Sequence, residues 1–268
     1  MVVIAICSLK GGVGKTSVTL GLASAAREAG RRTLVVDLDP QGDTTVGLDV
    51  AGEVPSSIAR VLDEPRRRHL RASLLRSGWS EGSAAPIDVA VGGPGLAGYD
   101  RTDLSSRRLT SLRTALDKVS DDYDLVLVDC PPSLGGLTRT GLAAADRALI
   151  VTEPGVFAIA AADRALRAVH EVRTDLRPEL QPLGIVVNRV RRTMSEHRYR
   201  VEELTSLFGP LVLPQRIPER AVLQRAQGSY APIHAFRDTG ARELAGLFDD
   251  LLAHVLRVAG GRRGNPRR

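Results

Sequence analysis

Long apolar runs are missing from this chain of 268 residues. None approaches the roughly 20 residues that a membrane-spanning helix needs. The first residues, "MVVIAICS", also lack the charged region and cleavage site of a secretory signal. We therefore expect a cytoplasmic protein with no bilayer-spanning segment.

Cysteine and aromatic residues are also scarce. The two cysteines, Cys7 and Cys130, lie in separate apolar stretches and form no CxxC pair. This argues against a disulfide framework and predicts two small buried residues in a reducing compartment. Aromatic residues make up only 3% of the chain, which argues against a surface on which single-stranded bases stack.

Lysine is the third scarce residue type. Only three of the 37 basic residues are lysines, yet two of them, Lys10 and Lys15, lie in the short stretch "SLKGGVGKTS". The net charge of +6 and the pI near 9.9 weakly favour a polyanionic partner. The position of Lys10, before a glycine cluster that already has its own lysine, calls for a separate explanation.

Continuous apolar runs alternate with amphipathic stretches along the chain. Continuous runs are typical of strands buried on both faces of a parallel sheet. The predicted strands are Val2–Ser8, Thr33–Leu38, Ile87–Val91, Leu125–Asp129, Ala148–Thr152 and Leu183–Asn188. The predicted helices are Ser17–Ala29, Leu104–Val119, Ile159–Thr174, Ser195–Phe208 and Thr239–Val258. This alternation predicts an α/β fold with one doubly wound, mostly parallel sheet and helices on both faces.

No repeat or composition shift marks a second domain. We expect one domain over residues 1–258, followed by a disordered basic tail, "GGRRGNPRR", within residues 259–268. The segment Glu64–Ser83, with "PRRRHLR" and "GWSEGS", is predicted to be an exposed insertion.

The stretch Gly14-Lys15-Thr16 follows a predicted strand and opens a predicted helix, which is the context of a phosphate-binding P-loop. Glycines let backbone N–H groups turn towards phosphate oxygens, and the helix N-terminus adds a positive dipole end. Lys15 would reach the β- and γ-phosphates and Thr16 would ligate Mg²⁺. Leu9 stands where the commonest pattern has glycine, so the loop is a variant form.

Carboxylates follow two other predicted strands. Asp129 ends "YDLVLVD", the expected position of a Walker B carboxylate that holds the Mg²⁺ shell. Asp37 and Asp39 project from the end of another strand on the same side. Two carboxylates there suit contact with the metal shell and orientation of an attacking water. A solvated acidic turn is the alternative.

Four motifs, "KGGVGKT", "DLDPQGDTT", "DLVLVDCPPSLG" and "IPERAVLQRAQ", together resemble the ParA/MinD family of deviant Walker A ATPases. The chain is most similar to the small ParA (Soj-like) branch, which segregates chromosomes and plasmids, from Val2 to about Val258. In that family the extra lysine, here Lys10, crosses an ATP-sandwich dimer and contacts the phosphates of the partner subunit. Lysine suits this role as a compact charge on a flexible stem.

The resemblance also implies roles for other positions. Asp39 would orient the hydrolytic water, Asp129 would hold the magnesium shell together with Thr16 and Asp39, and Asn188 would read the adenine edge. Pro218 and Arg220 would border the adenine ring. The residues implied to cradle the phosphates are Gly11, Gly12, Val13, Gly14, Lys15, Thr16 and Ser17. The implied cofactors are ATP and Mg²⁺.

DNA binding is the output that the resemblance implies. Candidate phosphate contacts are Arg191, Arg192, Arg198, Arg200, Arg216 and Arg225. The alternative is that these arginines form an ordinary solvated surface. Because no helix-turn-helix precedes the P-loop, we expect contacts to the DNA backbone that ignore base sequence and weaken with salt. Glu219 stands where close ParA relatives have an arginine implicated in DNA binding, which puts that contact in doubt.

Other branches of the family fit the sequence less well. The nitrogenase-iron-protein branch needs interface cysteines, and the tyrosine-kinase branch needs a tyrosine cluster in the tail. MinD-like proteins end in an amphipathic membrane helix, whereas the last helix here carries Asp249 and Asp250. We therefore expect no stable membrane attachment. A MinD-like ATPase and a ParA-like positioner of another cargo remain the alternatives.

The resemblance thus predicts an ATPase that dimerises with ATP, coats nucleoid DNA and is released when a partner stimulates hydrolysis. The implied partner is a ParB-like centromere-binding protein, and the expected location is the nucleoid in the cytoplasm.

Overall fold

One mostly parallel sheet forms the frame of the molecule. The computed structural model describes residues 1–81 and 85–260, and within them eight strands form the sheet in the order β3-β4-β2-β5-β1-β6-β7-β8. Every neighbouring pair is parallel except β3 with β4. The strands are β1 (Val2–Cys7), β2 (Thr33–Asp37), β3 (Leu74–Arg76), β4 (Ile87–Ala90), β5 (Leu125–Asp129), β6 (Arg147–Thr152), β7 (Gln181–Val190) and β8 (Val212–Pro218).

Helices connect these strands and cover both faces of the sheet. In chain order they are α1 (Lys15–Glu28), α2 (Asp43–Gly47), α3 (Ile58–Asp63), α4 (Arg67–Ala72), α5 (Ser106–Leu109), α6 (Ser111–Leu116), α7 (Gly136–Ala144), α8 (Ala158–Asp175), α9 (Ser195–Phe208), α10 (Ala221–Gly228) and α11 (Thr239–Gly260). None of these helices, as far as the chain is described, is long and apolar enough to cross a bilayer.

Each central strand contributes to two hydrophobic cores because its side chains alternate between the two faces. In β1, Val3 and Ala5 enter the core beneath α3 and α6–α9, whereas Ile4 and Ile6 enter the core beneath α1, α10 and α11. All four side chains are fully buried. Burial on both faces explains the continuous apolar runs, and the predicted doubly wound α/β fold is confirmed.

The strand register brings the predicted functional segments together. Asp129, the last residue of β5, is paired with Ile6 of β1 on one side and with Asp37 of β2 on the other. The carboxyl ends of these three neighbouring strands therefore lie at the same edge of the sheet. The loops that follow them meet in one crevice, where ligands bind in open α/β sheets.

The predicted insertion at Glu64–Ser83 is wrong over its described residues. Leu70 of α4 is fully buried and Trp79 is 6% exposed. The intervening β3 extends the sheet by pairing antiparallel with β4. The sequence analysis missed β3 because the strand is only three residues long and lies among basic residues.

Other boundaries differ from the sequence prediction. The helix expected over Leu104–Val119 begins at Ser106 and is divided between α5, α6 and a short 3₁₀ turn. Strand β8 was not predicted, since Pro214, Gln215 and Arg216 interrupt its apolar pattern. Helix α11 continues to Gly260, and the rest of the predicted tail lies outside the described residues.

Close contact between α1 and α11 positions the helix that follows the first loop. Phe248 of α11 is fully buried against Gly21 of α1, where a Cβ would lie 2.2 Å from the phenylalanine ring. A second link passes through His234, which precedes α11: its Nδ1 lies 2.6 Å from Oγ of Ser24, and its Nε2 lies 3.1 Å from Oδ1 of Asp249 in α11. The C-terminal helix therefore serves as part of the core that supports the P-loop helix.

Candidate active site

The loop between β1 and α1 adopts a conformation that requires glycine. Gly12 and Gly14 have φ angles of 79° and 84°, in the left-handed region that residues with a Cβ disfavour. A Cβ on Gly14 would also lie 2.2 Å from Nδ2 of Asn188. This turn leads directly into α1, whose first residue is Lys15. The helix N-terminus faces an open cleft of about 440 Å³.

Lys15 is buried between two carboxylates at the base of this cleft. Its Nζ lies 3.4 Å from Oδ1 of Asp129 and 3.7 Å from Oδ2 of Asp39, and its side chain is 7% exposed. Burial lowers the pKa of Lys15, but the charges of Asp129 and Asp39 outweigh it and raise the pKa above its ordinary value. The lysine therefore stays protonated and available to an anionic ligand.

Asp129 joins the P-loop to α2. Its Oδ2 accepts hydrogen bonds from the hydroxyl of Thr16 at 3.0 Å and from that of Thr44 at 2.5 Å. The carboxylate itself is fully buried. Thr16 and Asp129, the two residues predicted to form a magnesium shell with Asp39, thus lie in contact. Thr44 is a further hydroxyl at this point, and the prediction from sequence missed it.

The two carboxylates at the end of β2 have different surroundings, although the sequence pattern suggested that both face the metal shell and the attacking water. Asp37 is fully buried, and its Oδ2 accepts from both the N–H and the hydroxyl of Thr45, at 2.9 and 2.8 Å. Burial and the nearby charge of Asp129 raise the pKa of Asp37 to about 7. Asp39 lines the cleft and reaches Lys15. Asp37 therefore supports the loop, and Asp39 is the carboxylate that faces the cleft.

Lys10 lies at the mouth of the cleft and is held by a residue from a different strand end. Its Nζ donates to Oε1 of Glu153 at 2.5 Å, just after β6. The side chains of Lys10 and Glu153 are 39% and 27% exposed. Glu153 escaped the sequence analysis because a single carboxylate in "VTEPG" belongs to no known pattern.

Asn188 braces the P-loop from the end of β7. The residue is 2% exposed, and its Nδ2 donates to the carbonyl oxygens of Val13 at 2.7 Å and Gly14 at 3.5 Å. Together with Pro218 and Arg220 it lines a narrow cavity beside Ser17. The three residues predicted to surround adenine therefore lie together next to the P-loop, while their contact with adenine stays a prediction.

The comparisons with known proteins agree with this geometry. The sequence pattern of the AAA domain family matches residues 1–182. The chromosome-partitioning ATPase Soj of Thermus thermophilus is 34% identical over 259 residues, which cover 94% of this chain and 96% of Soj. The chain belongs to the ParA/MinD family of P-loop ATPases.

Two solved structures share the fold of this ParA/MinD-family chain. Cobyrinic acid a,c-diamide synthase from Mycobacterium smegmatis, with a bound ATP analogue and magnesium, superimposes with a TM-score of 0.76 at 30% identity and covers 95% of each chain. Cyanothece McdA in complex with ATP gives a TM-score of 0.81 at 18% identity over 96% of each chain. At that identity the likeness to McdA shows the fold alone.

The candidate DNA-binding arginines of this ParA/MinD-family chain divide into two groups. Four of them line one groove of about 360 Å³ between α9, β8 and α11, with an apolar floor that includes Val201 and Leu247; these are Arg191, Arg192, Arg198 and Arg216. The other two are engaged outside it. Arg200 binds Glu196 and Glu203 on α9, and Arg225 binds Asp238.

The four arginines of the groove differ in whether they are ion-paired with a carboxylate. Arg191 is paired with Glu219 and Arg192 with Glu243 at 3.6 Å. Arg198 and Arg216 are exposed and form no ion pair with the described carboxylates. Glu219 thus neutralises the neighbouring Arg191. The structure brings four candidates to one surface and leaves two of them available to an outside anion.

Proposed function

We propose that this chain is a partitioning ATPase whose ATP-bound dimer binds duplex DNA without sequence preference and is released when a partner stimulates hydrolysis. The observation that carries the proposal is the arrangement around the cleft: Lys15 at its base, Asp39 on its wall and Lys10 at its mouth. One cation is buried inside for the nucleotide of its own subunit. The other is partly exposed, where a second subunit can reach it.

The polar residues at the cleft fit ATP with Mg²⁺. Magnesium prefers oxygen ligands and is commonly held by one or two protein oxygens together with phosphate oxygens. The Thr16 hydroxyl and the Asp129 carboxylate supply such oxygens 3.0 Å apart. When bound, the ion would draw negative charge from the phosphates. Lys15 would bind the phosphates, the backbone N–H groups of residues 11–17 would surround them, and Asp39 would orient the water.

Exposed apolar residues around the cleft support a dimer. Val46 lines the cleft, Leu134 follows Pro132 on its rim, and Val156 and Phe157 follow Glu153, the partner of Lys10. These four side chains are between 40% and 69% exposed. Exposed apolar side chains on the loops that border a cleft offer a surface to a protein partner. A facing subunit would cover them and bring its own nucleotide towards Lys10.

The arginine groove supports binding to the DNA backbone. Arg198 and Arg216 are exposed cations beside two further arginines, and the groove has no aromatic lining that would stack bases. Phosphate contacts of this kind release counterions and give binding that weakens steeply with salt. The proposal also includes a ParB-like partner. It includes a cargo that is a chromosome or a plasmid. Both are what the family resemblance implies.

An amide-transfer reaction, suggested by the name of the M. smegmatis relative, has less support in this chain. Release of ammonia from glutamine by the usual covalent route needs a reactive thiolate. The whole chain has two cysteines, Cys7 and Cys130, and both are buried. Burial raises the pKa of Cys7 to about 12 and raises that of Cys130 well above its usual value. Neither thiol meets the requirement for a nucleophile.

The proposal is tested by co-sedimentation with duplex DNA of arbitrary sequence and, separately, with anionic liposomes. Each experiment is done with ATP, with ADP and without nucleotide. We expect binding to DNA only with ATP and a steep loss of binding as salt rises. Arg198→Ala and Arg216→Ala should each weaken binding and lower the salt slope by about one, whereas Arg225→Ala, which removes a cation already paired with Asp238, should do neither.

Other outcomes of this experiment would change the assignment. Binding to liposomes but not to DNA would place the chain with MinD-like positioning ATPases. Binding to neither, with normal ATP turnover, would favour a ParA-like positioner of another cargo.

A further inference from the structure

The segment that follows β4, residues 91–100, lies between the loops that follow β2 and β5, and we call it the linking segment. Its sequence is "VGGPGLAGYD", of which Pro94–Tyr99 forms a 3₁₀ turn. Leu96 is 2% exposed and packs in the core. The hydroxyl of Tyr99 donates to Oδ2 of Asp63 in α3 at 2.7 Å. The middle of the linking segment is therefore fixed to the body of the fold.

The first end of the linking segment packs against the loop that carries Asp39. The N–H of Gly92 donates to Oγ1 of Thr45 at 3.2 Å, and that hydroxyl donates to Oδ2 of Asp37. A Cβ on Gly92 would lie 2.7 Å from the carbonyl oxygen of Asp37, so the two backbones approach closely because Gly92 has no side chain. Asp37 also accepts from the N–H of Asp39 at 3.1 Å. A chain of hydrogen bonds thus leads from Gly92 to Asp39.

Asp100, at the other end of the linking segment, holds the start of α7. Its Oδ2 accepts from the hydroxyl of Ser133 at 2.8 Å, and its Oδ1 accepts from the N–H of Leu137 at 3.4 Å. A carboxylate at a helix N-terminus satisfies a free N–H and is stabilised by the helix dipole. The N-cap residue of α7 is Gly135, which has no side chain for this task. A Cβ on Gly135 would overlap Oδ1 of Asp100, so glycine at this position makes room for the carboxylate.

The loop that Asp100 holds forms part of the cleft wall. It begins directly after Asp129, and its Pro132 lines the cleft. Leu134 is 40% exposed. Ser133, the residue between them, is the one that bonds to Asp100, so this bond fixes the backbone beside Pro132. Phosphoryl transfer depends on such positioning, because groups at the site must be held within a fraction of an ångström.

We propose that Asp100 is a positioning residue for ATP hydrolysis: through Ser133 and the first turn of α7 it fixes the wall of the cleft at Pro132, and the linking segment ties this wall to the loop of Asp39. Asp100 itself lies outside the residues that line the cleft. The inference rests on the ATP hydrolysis of the proposed function and deepens it by naming a residue that controls turnover from outside the site.

Asp100→Ala removes both hydrogen-bond acceptors, and Ser133→Ala removes the hydroxyl that they hold. Each should lower kcat, by about 10- to 100-fold in Asp100→Ala, while ATP affinity stays within about twofold, because a shift of about 1 Å near the reacting groups costs turnover on this scale. Asp100→Asn keeps the shape and an oxygen acceptor, and should restore most of the turnover. Asp103→Ala is the matched control, since it removes a carboxylate that is 64% exposed and pairs with Arg101. It should leave kcat unchanged.

Phosphate release at saturating ATP measures kcat, and competition against a fluorescent ATP analogue measures affinity. Melting temperatures without nucleotide show that the variants are folded. The double variant Asp100→Ala/Ser133→Ala should lose no more turnover than Asp100→Ala alone, because both changes remove one shared contact. Ser133 is half-buried, so Ser133→Ala keeps the test available if Asp100→Ala does not fold.

Unchanged kcat in Asp100→Ala and Ser133→Ala would overturn the inference. So would a fall in ATP affinity as large as the fall in kcat, additive losses in the double variant, or turnover that stays low in Asp100→Asn. A wild-type protein that hydrolyses ATP but does not bind DNA would overturn the proposed function and leave this inference standing. A wild-type protein that hydrolyses no ATP would overturn both.

Discussion

Nζ of Lys10 lies 2.5 Å from Oε1 of Glu153, across a separation of 143 residues in the chain. The contact joins the loop after β1 to the end of the neighbouring strand β6. Both side chains are partly exposed, and such pairs contribute only about 0–1 kcal/mol. Lys10 is therefore held within its own subunit by a contact weak enough to be exchanged for the phosphates of a partner.

Lys10→Ala tests whether this lysine acts between subunits. The variant should bind ATP with nearly normal affinity, because Lys15 and the glycines of the P-loop are unchanged. It should fail to dimerise, because the charge that would bridge the subunits is gone. Light scattering in the presence of a non-hydrolysable ATP analogue measures the mass of the variant in solution and so distinguishes a monomer from a dimer. A normal dimer would show that Lys10 serves only its own subunit.

Glu153→Gln tests the contact from the other side. Removing the carboxylate charge frees Lys10, so the variant should dimerise with ATP at a lower protein concentration than the wild type, by a factor of about two to five for a pair of this strength. Glu179→Gln is the matched control, since Glu179 pairs with Arg177 at 3.4 Å and is 64% exposed. An unchanged or weaker dimer in Glu153→Gln would contradict the exchange of partners.

Asp39→Ala should separate nucleotide binding from hydrolysis. A water-orienting carboxylate acts in the transition state, so its loss should leave ATP affinity and dimerisation intact while turnover falls by orders of magnitude. In ATP the variant should stay on DNA and resist release by the partner. Steady-state phosphate release and filter binding to DNA measure the two effects.

Lys15→Ala is the counterpart of that variant and should lose nucleotide, dimer and DNA together. In ATP, Asp39→Ala should stay bound to DNA, whereas Lys15→Ala should not bind it. The same filter-binding assay therefore distinguishes the two variants. If Asp39→Ala hydrolyses ATP normally, or leaves DNA as Lys15→Ala does, the role given to Asp39 is wrong.

Gly14→Ala should destabilise the protein before any nucleotide is added. The new Cβ would lie 2.2 Å from Asn188 Nδ2, and the φ angle of 84° adds strain, together about 1–3 kcal/mol. Gly11→Ala is the control, because nothing lies within 4 Å of its Cβ and its φ angle is not positive. Thermal unfolding without nucleotide compares them, and equal melting temperatures would show that the P-loop is not packed as described.

Phe248→Ala tests whether α11 supports the P-loop helix. Phe248 is fully buried against Gly21, so truncation should lower the free energy of unfolding by about 3–5 kcal/mol. Phe157→Ala removes a ring that is 69% exposed and should change it by less than about 0.5 kcal/mol. Urea unfolding without nucleotide measures both. Similar values for the two variants would contradict the core position of α11.

Much of the fold could be read from the sequence because its signals are local. Six of the eight strands within the described residues appear as continuous apolar runs, and helix α9 was predicted with the bounds that the structure shows, Ser195–Phe208. Strands β3 and β8 were missed because they lack such a local signal. β3 is three residues long and β8 contains two prolines, so their membership in the sheet depends on the neighbours that they meet after folding.

The sequence by itself determined the position of the P-loop, since Gly14, Lys15 and Thr16 are consecutive and their order between a strand and a helix carries the chemistry. It also identified Asp129 and Asp39, because each follows a recognisable apolar strand. These assignments need only neighbours in the chain.

Only the tertiary structure decided which side chains act on those residues. Glu153 holds Lys10, Asn188 braces a loop 175 residues earlier in the chain, and Thr44 shares Asp129 with Thr16. It also placed four of the six candidate arginines in one groove. Such contacts depend on strand order and register, and no pattern of neighbouring residues specifies them, because packing brings together segments whose spacing in the sequence is arbitrary.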